Sequence, residues 1–204
     1  MFDIERYVKS IDMQSKEYWY KRSASTRGFA NKREEIRFRL WKYVGSVLFS
    51  VTLDPFNCFR ILILKLFGAK IGCNVYISRK VTIVLPWLLE VGDSSGLDEY
   101  SYVNGSVKIA NNCAIASFVK LVAAGHDVRK RTFDWVDKSI YVDSGVFIGA
   151  NSCVLGGVKI GKFSTIGMNS FVVKDIPKNK IAFGNPAMVH SDRIPNEDFQ
   201  KYDF

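Results

Sequence analysis

The chain has 204 residues, 48% of them hydrophobic and 24% charged, long enough for one or two domains with a buried core. No apolar stretch reaches the ~18–20 residues a bilayer-spanning helix needs, and Met1-Phe2-Asp3-Ile4-Glu5 lacks the basic and apolar regions of a signal peptide. The net charge of +9 sits mainly in residues 1–70, with 14 Lys/Arg against 7 Asp/Glu, and no recognisable nucleic-acid module accompanies it, which argues against nucleic-acid binding.

Residues 1–38 are charged and aromatic, with a loop expected over Ser23–Gly28. Helix is expected over about 32–52, stopped by Asp54-Pro55, because a residue before proline avoids the α region. A second helix is expected over Phe56–Phe67, closed by Gly68 as its C′ residue. From Ile71 the pattern changes. Aliphatic residues recur every sixth position as Ile71, Ile77, Ile83, then Val91, Leu97, Val103, Ile109, Ile115, Leu121, and again as Val142, Ile148, Val154, Ile160, Ile166, Val172. A helix repeats at 3.6 and a strand at 2, so a sustained period of six requires short strands stacked in coils, three per coil. Four residues after each aliphatic comes a small or β-branched residue, such as Ser95, Ser101, Cys113, Ser152, Ser164 and Ser170. Glycine follows the aliphatic at 92, 149, 161 and 167, and supplies what a corner needs, either a small residue or one tolerant of positive φ. Two extra residues are placed at Leu89-Glu90. About five coils therefore span 71–177, roughly 24 Å at ~4.8 Å per strand.

Between the long runs, Gly125–Ser139 breaks the step and is expected to project as a loop from one prism edge. Residues 178–204 form a polar tail, with a closing strand and a short helix expected. Residues 1–70, 71–190 and 191–204 are the expected N-terminal region, β-helix and tail. Cys58, Cys73, Cys113 and Cys153 make no CxxC pair and no metal-ligand spacing, so reduced thiols in a cytoplasmic protein are expected. Two histidines and no cysteine cluster leave a metal site without support.

The chain resembles the hexapeptide-repeat acyltransferases, and within them the colanic-acid-biosynthesis type of acetyltransferase. The resemblance rests on Leu85-Pro86-Trp87-Leu88-Leu89-Glu90-Val91-Gly92-Asp93, Gly125-His126-Asp127, Gly145-Val146-Phe147-Ile148-Gly149-Ala150-Asn151, Val173-Lys174-Asp175-Ile176-Pro177 and Gly184-Asn185-Pro186-Ala187, with Tyr18-Trp19-Tyr20 and Leu66–Gly72 in support. It implies a mainly β fold, a left-handed parallel β-helix, assembled as a homotrimer with active sites between subunits. It also implies acetyl-CoA as co-substrate and a sugar or lipid-linked glycan as acceptor. Read alone, His126 is either a general base or a loop histidine that caps backbone; the resemblance implies the base, and neutral imidazole suits that role. The orienting partner of that base is expected to be Asp98, the adjacent Asp127 or a backbone carbonyl, with Asp98 alternatively binding an acceptor hydroxyl. An oxyanion-stabilising amide is expected near Gly149. Phe147, Gly149, Ala150, Gly167, Met168 and Lys174 are expected along the acetyl-CoA path; where Met188 departs from the family's basic residue, one phosphate contact is either missing or replaced by Arg193. Arg131, Phe133, Trp135 and Asp98 are expected to select the acceptor, and His190 is read as a surface residue. The implied reaction is O-acetylation of a sugar hydroxyl in exopolysaccharide or capsule biosynthesis. The alternatives are N-acetylation of an amino-sugar nucleotide and a non-catalytic scaffold. For residues 1–70, packing on the prism stands against a peripheral contact with an anionic membrane, the latter placing the protein at the inner face of the cytoplasmic membrane.

Overall fold

A computed structural model of the chain describes residues 32–130 and 134–193. Its core is built from columns of the six-step aliphatics. Sheet A carries β1 (Lys70–Ile71), β4 (Leu89–Val91), β7 (Val107–Ile109), β12 (Ile140–Val142) and β15 (Lys159–Ile160). Sheet B carries β2 (Tyr76–Ile77), β5 (Gly96–Leu97), β8 (Ala114–Ile115), β13 (Phe147–Ile148), β16 (Thr165–Ile166), β18 (Lys180–Gly184) and β19 (Ala187–Asp192). Sheet C carries β3 (Thr82–Ile83), β6 (Tyr102–Asn104), β9 (Lys120–Val122), β14 (Cys153–Leu155) and β17 (Phe171–Val172). Apart from the closing antiparallel pair β18–β19, all three sheets are parallel, and each coil visits A, B and C in turn. The registers stack like on like: Ile71 on Val91 on Ile109 on Val142 on Ile160. Each of these side chains is buried, and burying an aliphatic of this size contributes about 1.5–3 kcal/mol.

The small residue four places on is buried too, and its hydroxyl ties neighbouring coils. Ser95 Oγ donates to Ala110 O (2.7 Å) and accepts from Cys113 N (3.0 Å), and Ser152 Oγ donates to Gly167 O (2.9 Å). A buried hydroxyl needs such a partner. The left-handed backbone positions lie one residue before these small residues, at Ser94, Tyr100, Asn112, Phe118, Asn151, Phe163 and Asn169, and not at the glycines after the aliphatics. Those glycines serve close approach instead: a Cβ on Gly149 would stand 2.6 Å from Met168 N, and one on Gly161 2.5 Å from Lys178 N. The two extra residues sit in the turn that closes the first coil, a 3-10 turn at Pro86–Leu88, and leave Leu89 and Glu90 in regular register with Val107 and Lys108.

The open end of the first coil is covered by helices α1 (Lys32–Leu40), α2 (Ser46–Ser50) and α3 (Asn57–Leu66), with a π turn, Trp41–Gly45, joining the first two. Their polar side chains take the place of a further strand. Asn57 donates to Val75 O (2.7 Å) and accepts from Ile77 N (3.1 Å). Fully buried Arg60 donates to Ile77 O (2.9 Å), Leu53 O (2.8 Å) and Thr52 Oγ1 (3.2 Å). Trp41 Nε1 donates to Ile83 O (2.8 Å). Gly68, at φ +93°, ends α3 as its sequence implies. At the other end, Arg193 donates to Gly145 O (3.0 Å) and Phe163 O (3.2 Å), so it latches the chain and is not poised for a phosphate. His190 is exposed and stacks on Phe183 at 3.6 Å between centroids.

Candidate active site

The 15-residue insertion folds as a hairpin of β10 (Ala124–His126) and β11 (Trp135–Asp137), leaving the prism where sheet C turns toward sheet A. Its base is fixed from below. Asp137 accepts from Ser106 N (3.0 Å) and Ser106 Oγ (2.6 Å), and Asn104 Nδ2 donates to Ala124 O (3.3 Å). Gly105, at φ +87°, allows this approach, since a Cβ there would meet Ala124 N at 2.7 Å. His126 pairs with Trp135 and Ala124 with Asp137 across the hairpin. Alternation along a strand puts these four side chains on one face.

That face borders a cleft of about 790 Å3, within the usual size of a small-molecule site. His126, Trp135 and Asp137 meet Tyr102 and Asn104 of β6 there, Trp87 of the 3-10 turn, and Glu34, Phe38, Trp41 and Lys42 of the N-terminal helix. The structure thus unites His126 with Trp135, both marked by sequence. Tyr102, Asn104, Asp137 and Glu34 were missed. The first two had a readable signal, flanking buried Val103 on the strand before the seam; the helix residues had none, since only tertiary packing brings them in.

Asp127 takes a different place from the one expected. Its carboxylate accepts from Arg129 N (3.1 Å) and Arg129 Nε (3.2 Å), contacts that hold its pKa below the ordinary carboxylate range, the backbone N–H first. Its own N–H donates to Asp134 O (2.9 Å), closing the hairpin tip. Asp127 thus shapes the loop, its carboxylate engaged by Arg129. Arg131 and Phe133 lie outside the described residues.

The remaining expected residues lie on two edges of the prism. Where sheet B turns into sheet C, the corners Asp98–Tyr100, Ala116–Phe118, Gly149–Asn151 and Gly167–Asn169 stack on one another. Asp98 is exposed there and accepts from Ser117 Oγ (2.8 Å) and Glu99 N (2.8 Å). Phe147 and Met168 are exposed beside this edge. The Gly149 N–H donates to Ile166 O (2.8 Å), so it is already used in the sheet and does not await an oxyanion. Lys174 follows β17 and is exposed on the opposite edge of sheet C, the edge that carries His126. About six residues separate the two edges, roughly 20 Å at ~3.3 Å per residue. One chain therefore does not bring Asp98 or the Gly149 and Gly167 corners to His126. Among the described residues no group of three His, Cys, Asp or Glu could hold a metal, and no helix is long and apolar enough to cross a membrane.

No family model matches the chain. It is 32% identical over 164 residues to a provisionally named colanic acid biosynthesis acetyltransferase of Escherichia coli K12, covering 79% of this chain and 90% of that one. It is 32% identical over 194 residues to a galactoside O-acetyltransferase of Lactococcus lactis, covering 83% and 89%. Among solved structures it resembles a hexapeptide-repeat acetyltransferase of Vibrio cholerae complexed with acetyl coenzyme A (TM-score 0.74, 19% identity, covering 81% and 92%). It also resembles a maltose O-acetyltransferase of Clostridium difficile (TM-score 0.73, 23% identity, covering 82% and 92%).

Proposed function

The chain belongs to the hexapeptide-repeat acetyltransferases, and we propose that within them it moves an acetyl group from acetyl-CoA to a sugar hydroxyl, with His126 as general base, in the assembly of an exopolysaccharide or capsule. The observation that carries this reading is the placement of His126: exposed, at the only break in the hexad pattern after Val91, in a cleft walled by Trp87, Trp135 and Tyr102. Aromatic faces with a polar rim suit a sugar, which presents C–H surfaces and hydroxyls together. His126 accepts the proton of the acceptor hydroxyl as its oxygen attacks the thioester carbonyl. The tetrahedral intermediate collapses with loss of the CoA thiolate, which takes the proton from the imidazolium. The C–O bond formed replaces the C–S bond broken. Positioning of the imidazole falls to its own cleft, where Asp137 is firmly held by Ser106.

The donor takes the other edge, past Phe147, Ala150 and Met168, with Asp98 at its lower end. The separation of that edge from His126 supports a site shared by two copies of the chain in a cyclic homotrimer. A cytoplasmic location fits four cysteines that are all free thiols. The test is product analysis with acetyl-CoA and a panel of sugars, amino-sugar nucleotides and lipid-linked oligosaccharides. A base-labile ester on a sugar is expected. A base-stable amide would move the reading to N-acetylation, and acetyl-CoA that neither binds nor turns over would leave a scaffold.

A further inference from the structure

The N-terminal helices have two working faces. One seals the first coil through Trp41, Phe49, Ile63 and Leu64, all buried. The other is apolar and uncovered. Along α1, the π turn and α2, Ile36, Leu40, Tyr43, Val47 and Val51 are 51–67% exposed and recur at helical spacing as a single stripe. Phe56, just before α3, and Phe59, Leu62 and Leu66 on it are 45–76% exposed and form a second. α2 and α3 contact each other, which puts the two stripes on neighbouring helices. These nine apolar side chains, each at least 45% exposed on neighbouring elements, go beyond the scattered single apolar residues of an ordinary surface. Residues 32–66 hold seven Lys/Arg against three Asp/Glu, and of the seven only Arg60 is buried.

We propose that these helices are a docking face for an anionic lipid bilayer, lying in the headgroup plane with the two stripes against the acyl chains. The charge selects this occupant. A second copy joined through the same face would bring together two surfaces that each carry this cationic excess, whereas anionic headgroups complement it. Docking has a geometric consequence: Glu34, Phe38 and Lys42 of the same helix wall the His126 cleft. The cleft is thereby held beside the lipid surface. On the acetyl-transfer reading, a lipid-anchored sugar presents its hydroxyl there.

The full chain should float with vesicles containing phosphatidylglycerol, and at least about tenfold less with pure phosphatidylcholine. Val47→Glu with Leu62→Glu should abolish flotation while leaving the melting temperature and thiol release with a soluble acceptor unchanged. Arg33→Glu with Lys65→Glu, at exposed positions, should weaken flotation and flatten its salt dependence. A full chain that stays unbound at low salt, or a Val47/Leu62 variant that floats like wild type, overturns the proposal. So does a variant whose only change is a smaller oligomer in sedimentation, which would assign the face to a second copy. Loss of acetyl transfer by the wild type, with flotation intact, would count against the functional reading alone.

Discussion

If the site is shared between neighbouring copies, two dead enzymes should revive each other. His126→Ala removes the base from one prism edge, and Ala150→Trp obstructs the other, where Ala150 sits at the corner before β14. Each homotrimer should lose at least about 10²-fold, equivalent to ~2.7 kcal/mol of transition-state stabilisation. In trimers assembled at random from equal amounts of both, a site needs its donor edge from a His126→Ala chain and its histidine from an Ala150→Trp chain. That combination occurs at about a quarter of interfaces in a cyclic oligomer. Co-expression should therefore restore about 25% of wild-type thiol release, far above either parent. The assay is chromogenic detection of free CoA from the co-purified mixture. Activity no greater than the sum of the parents would refute the shared site, because a site made within one chain cannot be complemented.

Other consequences concern single residues. Asp137→Asn should lower kcat on the order of tenfold with little change in acceptor KM, a part of the ~10²–10⁴ a general base contributes, while Asp127→Asn should leave kcat nearly unchanged; equal effects would contradict the assignment. Arg60→Ala strands Ile77 O and Leu53 O at the capped end and should cost about 3 kcal/mol by urea unfolding, since each unsatisfied buried group costs ~1–3 kcal/mol. Gly149→Ala should destabilise by about 1–3 kcal/mol through its 2.6 Å approach to Met168 N, while Gly96→Ala, whose nearest neighbour would be 3.9 Å away, should be tolerated. Burial raises the Cys113 thiol pKa, so Cys113 should resist a disulfide reagent that labels exposed Cys58 and Cys73, until the protein unfolds. Above about pH 8.5 the unfolded chain loses that proton while the folded chain keeps it, so stability should fall as pH rises there, and replacing Cys113 by Ala should flatten the decline.

The prism was legible because its physics is periodic. Ile77, Leu97, Ile115, Ile148 and Ile166 announce one column of sheet B, and the insertions near 86–88 and at 125–139 show as the two departures from its 18-residue step. At the corners one of two readings held. Glycine after the aliphatic suggested positive φ, yet Asn112, Asn151 and Asn169 hold that conformation and the glycines answer to backbone a coil away. Only stacking distance separates those two reasons, and sequence carries no distance. The histidine was readable from its place at the break. Its surroundings were not: Glu34 is 92 positions away and enters the cleft because Trp41 and Arg60 pin the helices onto the first coil. Asp127 looked like a partner by adjacency, but it lies just past β10, where Arg129 engages its carboxylate.

The most direct test of the account is the rate of CoA release from acetyl-CoA in the presence of a competent sugar acceptor, for wild type and His126→Ala at equal protein and confirmed folding. An acceptor-dependent rate that falls at least about 10²-fold, with acetyl-CoA affinity unchanged, is the predicted result. A variant that keeps the wild-type rate would contradict it, and would remove His126 from the chemistry.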